Sequence, residues 1–190
     1  MTAGIARAIG IVCGPPLIPV ALAFIATWSS RQPYRLVDLT TFVVSLALLP
    51  AMLVYGAYRA GYISDLGMPI REQRVLVATL SALSAVFGAA ALWWLEAQWT
   101  LVALATGTCI QLLLLDLLTL RDKVSYHSAG AGGLAVAGFY LAGLTLGIVL
   151  VAVAIATGWS RWYLGKHTLR QVAAGLATSL TLGLWLLFRG

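Results

Sequence analysis

Polar and apolar positions in this chain alternate in long blocks. Uninterrupted apolar runs of about twenty residues are separated by short polar segments, and no stretch shows the period-two alternation of a membrane barrel strand. Each run matches the length of a helix that crosses a bilayer. The pattern predicts a first helix over roughly 5–28, broken internally by Pro15, Pro16 and Pro19, and further helices over about 36–58, 75–95, 99–120 and 172–188. Trp93, Trp94 and Trp99 flank Glu96-Ala97-Gln98, as interfacial aromatics flank a hairpin at the headgroups. The expected fold class is all-α: one transmembrane domain over 1–190, a polytopic bundle of six to seven helices in contact with the lipid bilayer.

Composition agrees with the pattern. Of 190 residues, 61% are hydrophobic and 9% charged, far from the roughly 45–50% and 25% of soluble domains. The formal charge is +6, yet the twelve Lys and Arg are scattered through several loops, so no basic tract for nucleic acid is formed. Cys13 and Cys109 lie in apolar runs without CxxC or Cys/His spacing, which points away from a disulfide framework or a zinc site. No metal or cofactor is expected.

Candidate chemistry is confined to the polar segments. Both histidines sit there with serine and cationic companions: Lys123 and Ser125 near His127, and Ser160, Arg161 and Lys166 near His167. A phosphate ester calls for these residue types. Cations and hydroxyls bind its nonbridging oxygens, one imidazole attacks phosphorus, and the other protonates the leaving alcohol. Asp116, inside an apolar run, is a functional suspect by its position alone, with an ion pair to Arg121 or Lys123 as the structural alternative. Gly130, Gly132 and Gly133 are expected at helix-packing positions, with an anion cradle as the alternative.

The arrangement resembles the type-2 phosphatidic-acid phosphatase superfamily of integral membrane lipid phosphatases. Its third motif, Ser-Arg, five residues, His, three residues, Asp, is matched by Ser160-Arg161, His167 and, in place of Asp, Gln171. Its second, Pro-Ser-Gly-His, is met in part by Val124-Ser125-Tyr126-His127; of its first, Lys, six residues, Arg-Pro, only Arg71 and Arg74 stand in the corresponding loop. The resemblance implies that His167 is the nucleophile forming a phosphohistidine, that His127 is the general acid, and that Arg161 with Arg71 or Arg74 clamps the phosphate. Gln171 would take the place of the residue that orients His167, and Lys123 could supply the cation missing from the first motif. The implied substrate is a phospholipid or isoprenoid phosphate or diphosphate, in the plasma or inner membrane of a prokaryote. A second reading is a weakened or inactive member that binds anionic lipid or scaffolds a membrane complex.

A shared site requires the three motifs to meet at one end of the bundle. The run 128–157 separates the second from the third and must then cross an even number of times. As one helix it would be about 45 Å long. Two short helices are therefore expected, over about 128–141 and 144–159, turning near Ala142-Gly143 with Phe139 and Tyr140 at an interface. Nine Lys and Arg would share the motif face against three on the other, which suggests a cytoplasmic site.

Overall fold

The computed structural model describes residues 1–66 and 70–189, apart from the side chains of Arg71 and Arg189. Gly67 and Pro69, both part of the loop carrying the first motif, lie outside the described residues. Those described form eight helices and no strand: α1 Thr2–Val12, α2 Leu17–Ser29, α3 Leu36–Arg59, α4 Arg71–Trp94, α5 Trp99–Thr119, α6 Tyr126–Ala142, α7 Leu144–Tyr163 and α8 Leu169–Arg189. Five of them, α3, α4, α5, α7 and α8, are long and apolar enough to cross a membrane, and the bent pair α1–α2 makes a sixth if it is one span. The chain is thus compatible with a multi-pass membrane protein.

The count of eight exceeds the six or seven expected because the first helix is two. Pro15 and Pro16 carry no N–H to continue the ladder, and α1 and α2 meet at 64°. A milder break lies inside α3, where Val44–Leu48 forms a π-turn. Pro50 cannot donate to Leu46, so the Leu49 N–H reaches back five residues to Val44, and the Ser45 carbonyl is taken by the Ser84 hydroxyl of α4 at 2.6 Å.

The run 128–157 is a hairpin. α6 and α7 meet at Gly143, whose φ of +83° suits glycine and few other residues. Their close packing follows from missing side chains: a Cβ on Gly147 would sit inside the Phe139 ring, and one on Gly138 would strike Leu150. Phe139 and Tyr140 are both 42% exposed near this turn. At 17 residues α6 is about 25 Å long, shorter than a hydrocarbon core of about 30 Å. It is also the most enclosed helix, built of Ala129, Ala131, Gly132, Gly133, Ala135, Ala137 and Gly138, whose small side chains let α7 and α8 approach. Gly130 faces Ile18 of α2, Gly132 faces Ser179 of α8, and Gly133 faces Gln111 of α5. They are packing positions, which answers the alternative of an anion cradle.

The polar segments sort to two ends. At one, Arg35 makes a two-pronged contact with the fully buried Asp38, each bond 2.9 Å, and also reaches the Leu95 carbonyl, while Gln98 donates to the Pro33 carbonyl at 2.8 Å. At the other end the segments before α4, before α6 and before α8 come together with α1.

Candidate functional site

The spacing from Arg161 to His167 is set by how α7 stops. Leu164 bonds back to Ser160, Gly165 takes a φ of +63°, and the N–H groups of Lys166 and His167 both return to the Arg161 carbonyl at 3.0 and 3.2 Å. A helix ending in a left-handed glycine reverses the chain, so His167 is carried back beside Arg161. The next residue, Thr168, then starts α8.

His167 is buried, and its Nδ1 lies 3.1 Å from the Lys123 carbonyl. A carbonyl only accepts, so Nδ1 carries the proton and Nε2 keeps its lone pair. Burial first, then the charge of Arg74, pushes the imidazole down to about 4, the Lys123 carbonyl opposing. Near neutral pH the ring is uncharged, as a nucleophile must be. Lys123 is also held below its ordinary value, by burial and then by Arg74, Lys166 and Arg161.

Cations from three segments converge here. Arg74, only 5% exposed, reaches from α4 to donate to the Val124 carbonyl at 3.1 Å. Arg161 comes from the last turn of α7, and its Nε is buried with no hydrogen-bond partner among the described residues. His127, in the first turn of α6, lies close enough to His167, Arg161 and Arg74 for their charges to repel. A surface cleft of about 710 Å³ is lined by Lys123 and His167 together with Trp162, Lys166, Thr168 and Gln171, while Arg74, Arg161 and His127 lie outside its lining. Cationic donors gathered in a partly buried place are the kind of groups that bind an anion.

Other expected site residues have different partners. Ser160 donates its hydroxyl to the Ala6 carbonyl of α1 at 2.6 Å and is fully buried. Ser125 caps α6, accepting from the Ser128 N–H at 3.3 Å and the Ser128 hydroxyl at 2.9 Å. Arg71 begins α4, but its side chain lies outside the described residues. Asp116 accepts from the Tyr126 hydroxyl at 2.6 Å, a partner that neither the functional reading nor the alternative ion pair to Arg121 or Lys123 named.

Gln171 does not orient His167. Its Oε1 accepts from the Thr168 N–H at 3.1 Å, while Thr168 Oγ1 accepts from the Gln171 N–H at 3.3 Å, a reciprocal capping box at the start of α8. Its Nε2 donates to Asp122 Oδ1 at 2.8 Å, and Arg170 donates to the other Asp122 oxygen at 2.7 Å. The Gln171 amide first, then the Lys123 N–H, holds the Asp122 carboxyl below the usual carboxylate range. The job expected of residue 171 is done by the Lys123 carbonyl, and Gln171 braces the loop that presents it. The T-x-x-Q spacing of Thr168 and Gln171 was a readable signal of this box. Asp122 had no such signal.

Among the described residues no three His, Cys, Asp or Glu side chains come together as metal ligands do. No protein-family model, no curated protein and no solved structure matches the chain.

Proposed function

We propose that this chain is a lipid phosphate phosphatase of the type-2 phosphatidic-acid phosphatase kind, seated in the plasma or inner membrane of a prokaryote. The observation that carries the reading is the meeting of His127, His167, Arg74, Lys123 and Arg161, drawn from three separate segments, at one end of the bundle. Its substrate is a phosphate or diphosphate monoester of an isoprenoid or diacyl lipid. Arg74, Arg161 and Lys123 hold the nonbridging oxygens. His167 Nε2 attacks phosphorus, the ester P–O bond breaks, and the leaving oxygen takes a proton from His127. Water, deprotonated by His127, then cleaves the phosphohistidine, releasing phosphate and restoring His167.

Both requirements of a lipid substrate have a physical basis. The cleft lies at the end of the bundle, where a headgroup would be, and α6 is short enough to recess its floor below that level. The long tail stays among the exposed apolar side chains of the bundle.

One observation favours the second reading, a lipid binder with little turnover. The Lys123 carbonyl that orients His167 carries no net charge, and replacing the orienting carboxylate of a serine-protease triad by its amide lowers turnover by about 10⁴. Purified chain in nanodiscs, supplied with phosphatidic acid, an isoprenyl phosphate and an isoprenyl diphosphate, separates the two. A phosphatase releases phosphate, His167→Ala abolishes the release, and an acid-labile phosphoenzyme is trapped on rapid quenching. Binding of these lipids with no release, unchanged by His167→Ala, overturns the phosphatase reading.

A further inference from the structure

α1 reaches the third motif from a part of the chain that none of the three motifs includes. The double proline turns it 64° away from α2, so that α2 packs on α6 while α1 packs on α7. Its contact face is small. Ala6 and Gly10, one helical turn apart, are buried, whereas Ile5, Ile11 and Val12 are exposed. Two successive residues of α7 meet that face. The fully buried Ser160 donates its hydroxyl to the Ala6 carbonyl at 2.6 Å, and Arg161 brings its guanidinium to Gly10, where a Cβ would lie 2.9 Å from Nη1 and 3.5 Å from Ser160 Oγ.

The two contacts do different things. The hydrogen bond fixes α1 against the last turn of α7, so the backbone at Gly10 is held at one distance from the start of the Arg161 side chain. The close approach at Gly10 then limits where the end of that side chain can lie. An arginine has many rotamers, and ordering its head costs entropy unless surrounding surfaces restrict it. Its Nε is buried without a hydrogen-bond partner among the described residues, so no bond at that nitrogen orients the guanidinium. Packing against the bare backbone of α1 does.

We propose that Gly10 is a positioning residue for Arg161: the bare backbone it presents, anchored by the Ser160–Ala6 hydrogen bond, sets where the guanidinium meets the phosphate oxygens. The proposal rests on the phosphatase reading, in which Arg161 clamps the phosphate. α1 thereby becomes a wall of the site, and Ser160 serves as the anchor of that wall.

Inorganic phosphate is the probe, titrated into the full-length chain in zwitterionic nanodiscs, with binding measured apart from turnover. Nη1 is the end of a flexible side chain, so Gly10→Ala displaces it at little cost to the fold, and the melting temperature should match or exceed that of the wild type. Phosphate binding should weaken by about three- to tenfold, against about tenfold or more for Arg161→Ala, in which the charge-assisted contact is lost outright. On a lipid phosphate the loss should appear in KM more than in kcat. Gly4→Ala makes the same change on the same helix, with nothing within 4 Å, and should bind as the wild type does. The deciding background is Arg161→Lys, which keeps a cation and has no Nη1. There Gly10→Ala should weaken binding by less than about twofold.

Unchanged phosphate binding in Gly10→Ala overturns the proposal. An equal loss in the Arg161→Lys chain or in Gly4→Ala overturns it too, since α1 would then act through general packing. A chain that binds phosphate with this dependence on Gly10 and hydrolyses no lipid ester removes the phosphatase reading and keeps the positioning role. One that hydrolyses lipid phosphate with Gly10→Ala unaffected does the reverse, and one that neither binds nor hydrolyses removes both.

Discussion

The close approach of α8 to the second motif is allowed by an absent side chain. Gly175, on α8, stands so close to the start of α6 that a Cβ there would lie 2.5 Å from the Ser125 carbonyl oxygen and 3.4 Å from the Ala129 nitrogen. Ordinary contact begins near 3.4 Å. Gly175→Ala must therefore push α8 and the first turn of α6 apart by about 0.9 Å, because a backbone carbonyl cannot rotate away as a flexible side chain can. The Ser125 N–H, which donates to the Gln171 carbonyl at 3.3 Å, and the Lys123 carbonyl that holds His167 lie on the same seam. Two effects on stability nearly offset: overpacking costs about 1–3 kcal/mol, and alanine in a helix regains up to about 1 kcal/mol. Catalysis has no such offset, since a misplacement of about 1 Å can cost about 10² in rate. We expect Gly175→Ala to unfold at most about 2 kcal/mol more easily in detergent while losing one to two orders of magnitude in phosphate release. Gly183→Ala, on the same helix but 3.4 Å from Val136, should keep its activity and be as stable or more so. A Gly175→Ala variant with wild-type turnover refutes the claim that close packing at this seam is needed for catalysis.

With His167 held at about 4 by burial and Arg74, the rate on free enzyme should show no His167 inflection between about pH 5.5 and 8 and should fall as the ring is protonated below that range; an inflection near 6.5 that disappears in His167→Ala contradicts it. The same depressed value means that the unfolded chain takes up the proton first, so thermal stability should decline as pH drops from about 6.5 toward 4. Gln171→Asp should lower stability and fail to raise turnover, because it sets a second carboxylate against Asp122 and removes the amide donor, whereas Asp122→Asn/Gln171→Asp exchanges the two groups and should recover most of the melting temperature. A gain in turnover from Gln171→Asp alone would instead restore residue 171 as the partner of His167. In a Cys13→Ala/Cys109→Ala background, a cysteine at exposed Ser64 should label from the cytoplasmic side and one at exposed Gln32 from the other, and the reverse pattern overturns the orientation drawn from charge.

Much of this bundle was legible because lipid-length apolar runs and polar breaks obey simple arithmetic. The hairpin at Gly143 is the clearest case: its position came from requiring His127 and His167 to share an end, and the backbone supplies a positive-φ glycine there. The first helix was read as one broken span, and the double proline makes it two elements at 64°. The π-turn before Pro50 was not foreseen, because a single proline marks where a ladder is interrupted but not whether the helix stops, bends or takes up an extra residue.

The site was legible in its charges and less so in its hydrogen bonds. Arg161, His127 and His167 were brought to one end by the motif resemblance and the even number of crossings it requires. Ser160 and Gln171 were expected at the phosphate and at the nucleophile because they stand at motif positions of the family that the chain resembles. The direction of a hydroxyl around a helix, and the competition between a local capping box and a distant imidazole, are decided only when Ala6 and Asp122 are brought alongside. α1 could not be connected to Arg161 at all, since nothing in residues 6–10 announces a partner some 150 positions later. The same holds for the group that orients His167, the main-chain carbonyl of Lys123. Every residue has a carbonyl, so no motif can mark the ones that act, and they become available only where a helix has just ended or has yet to begin. The bend before α6 is therefore the feature through which this fold makes the acceptor that meets His167.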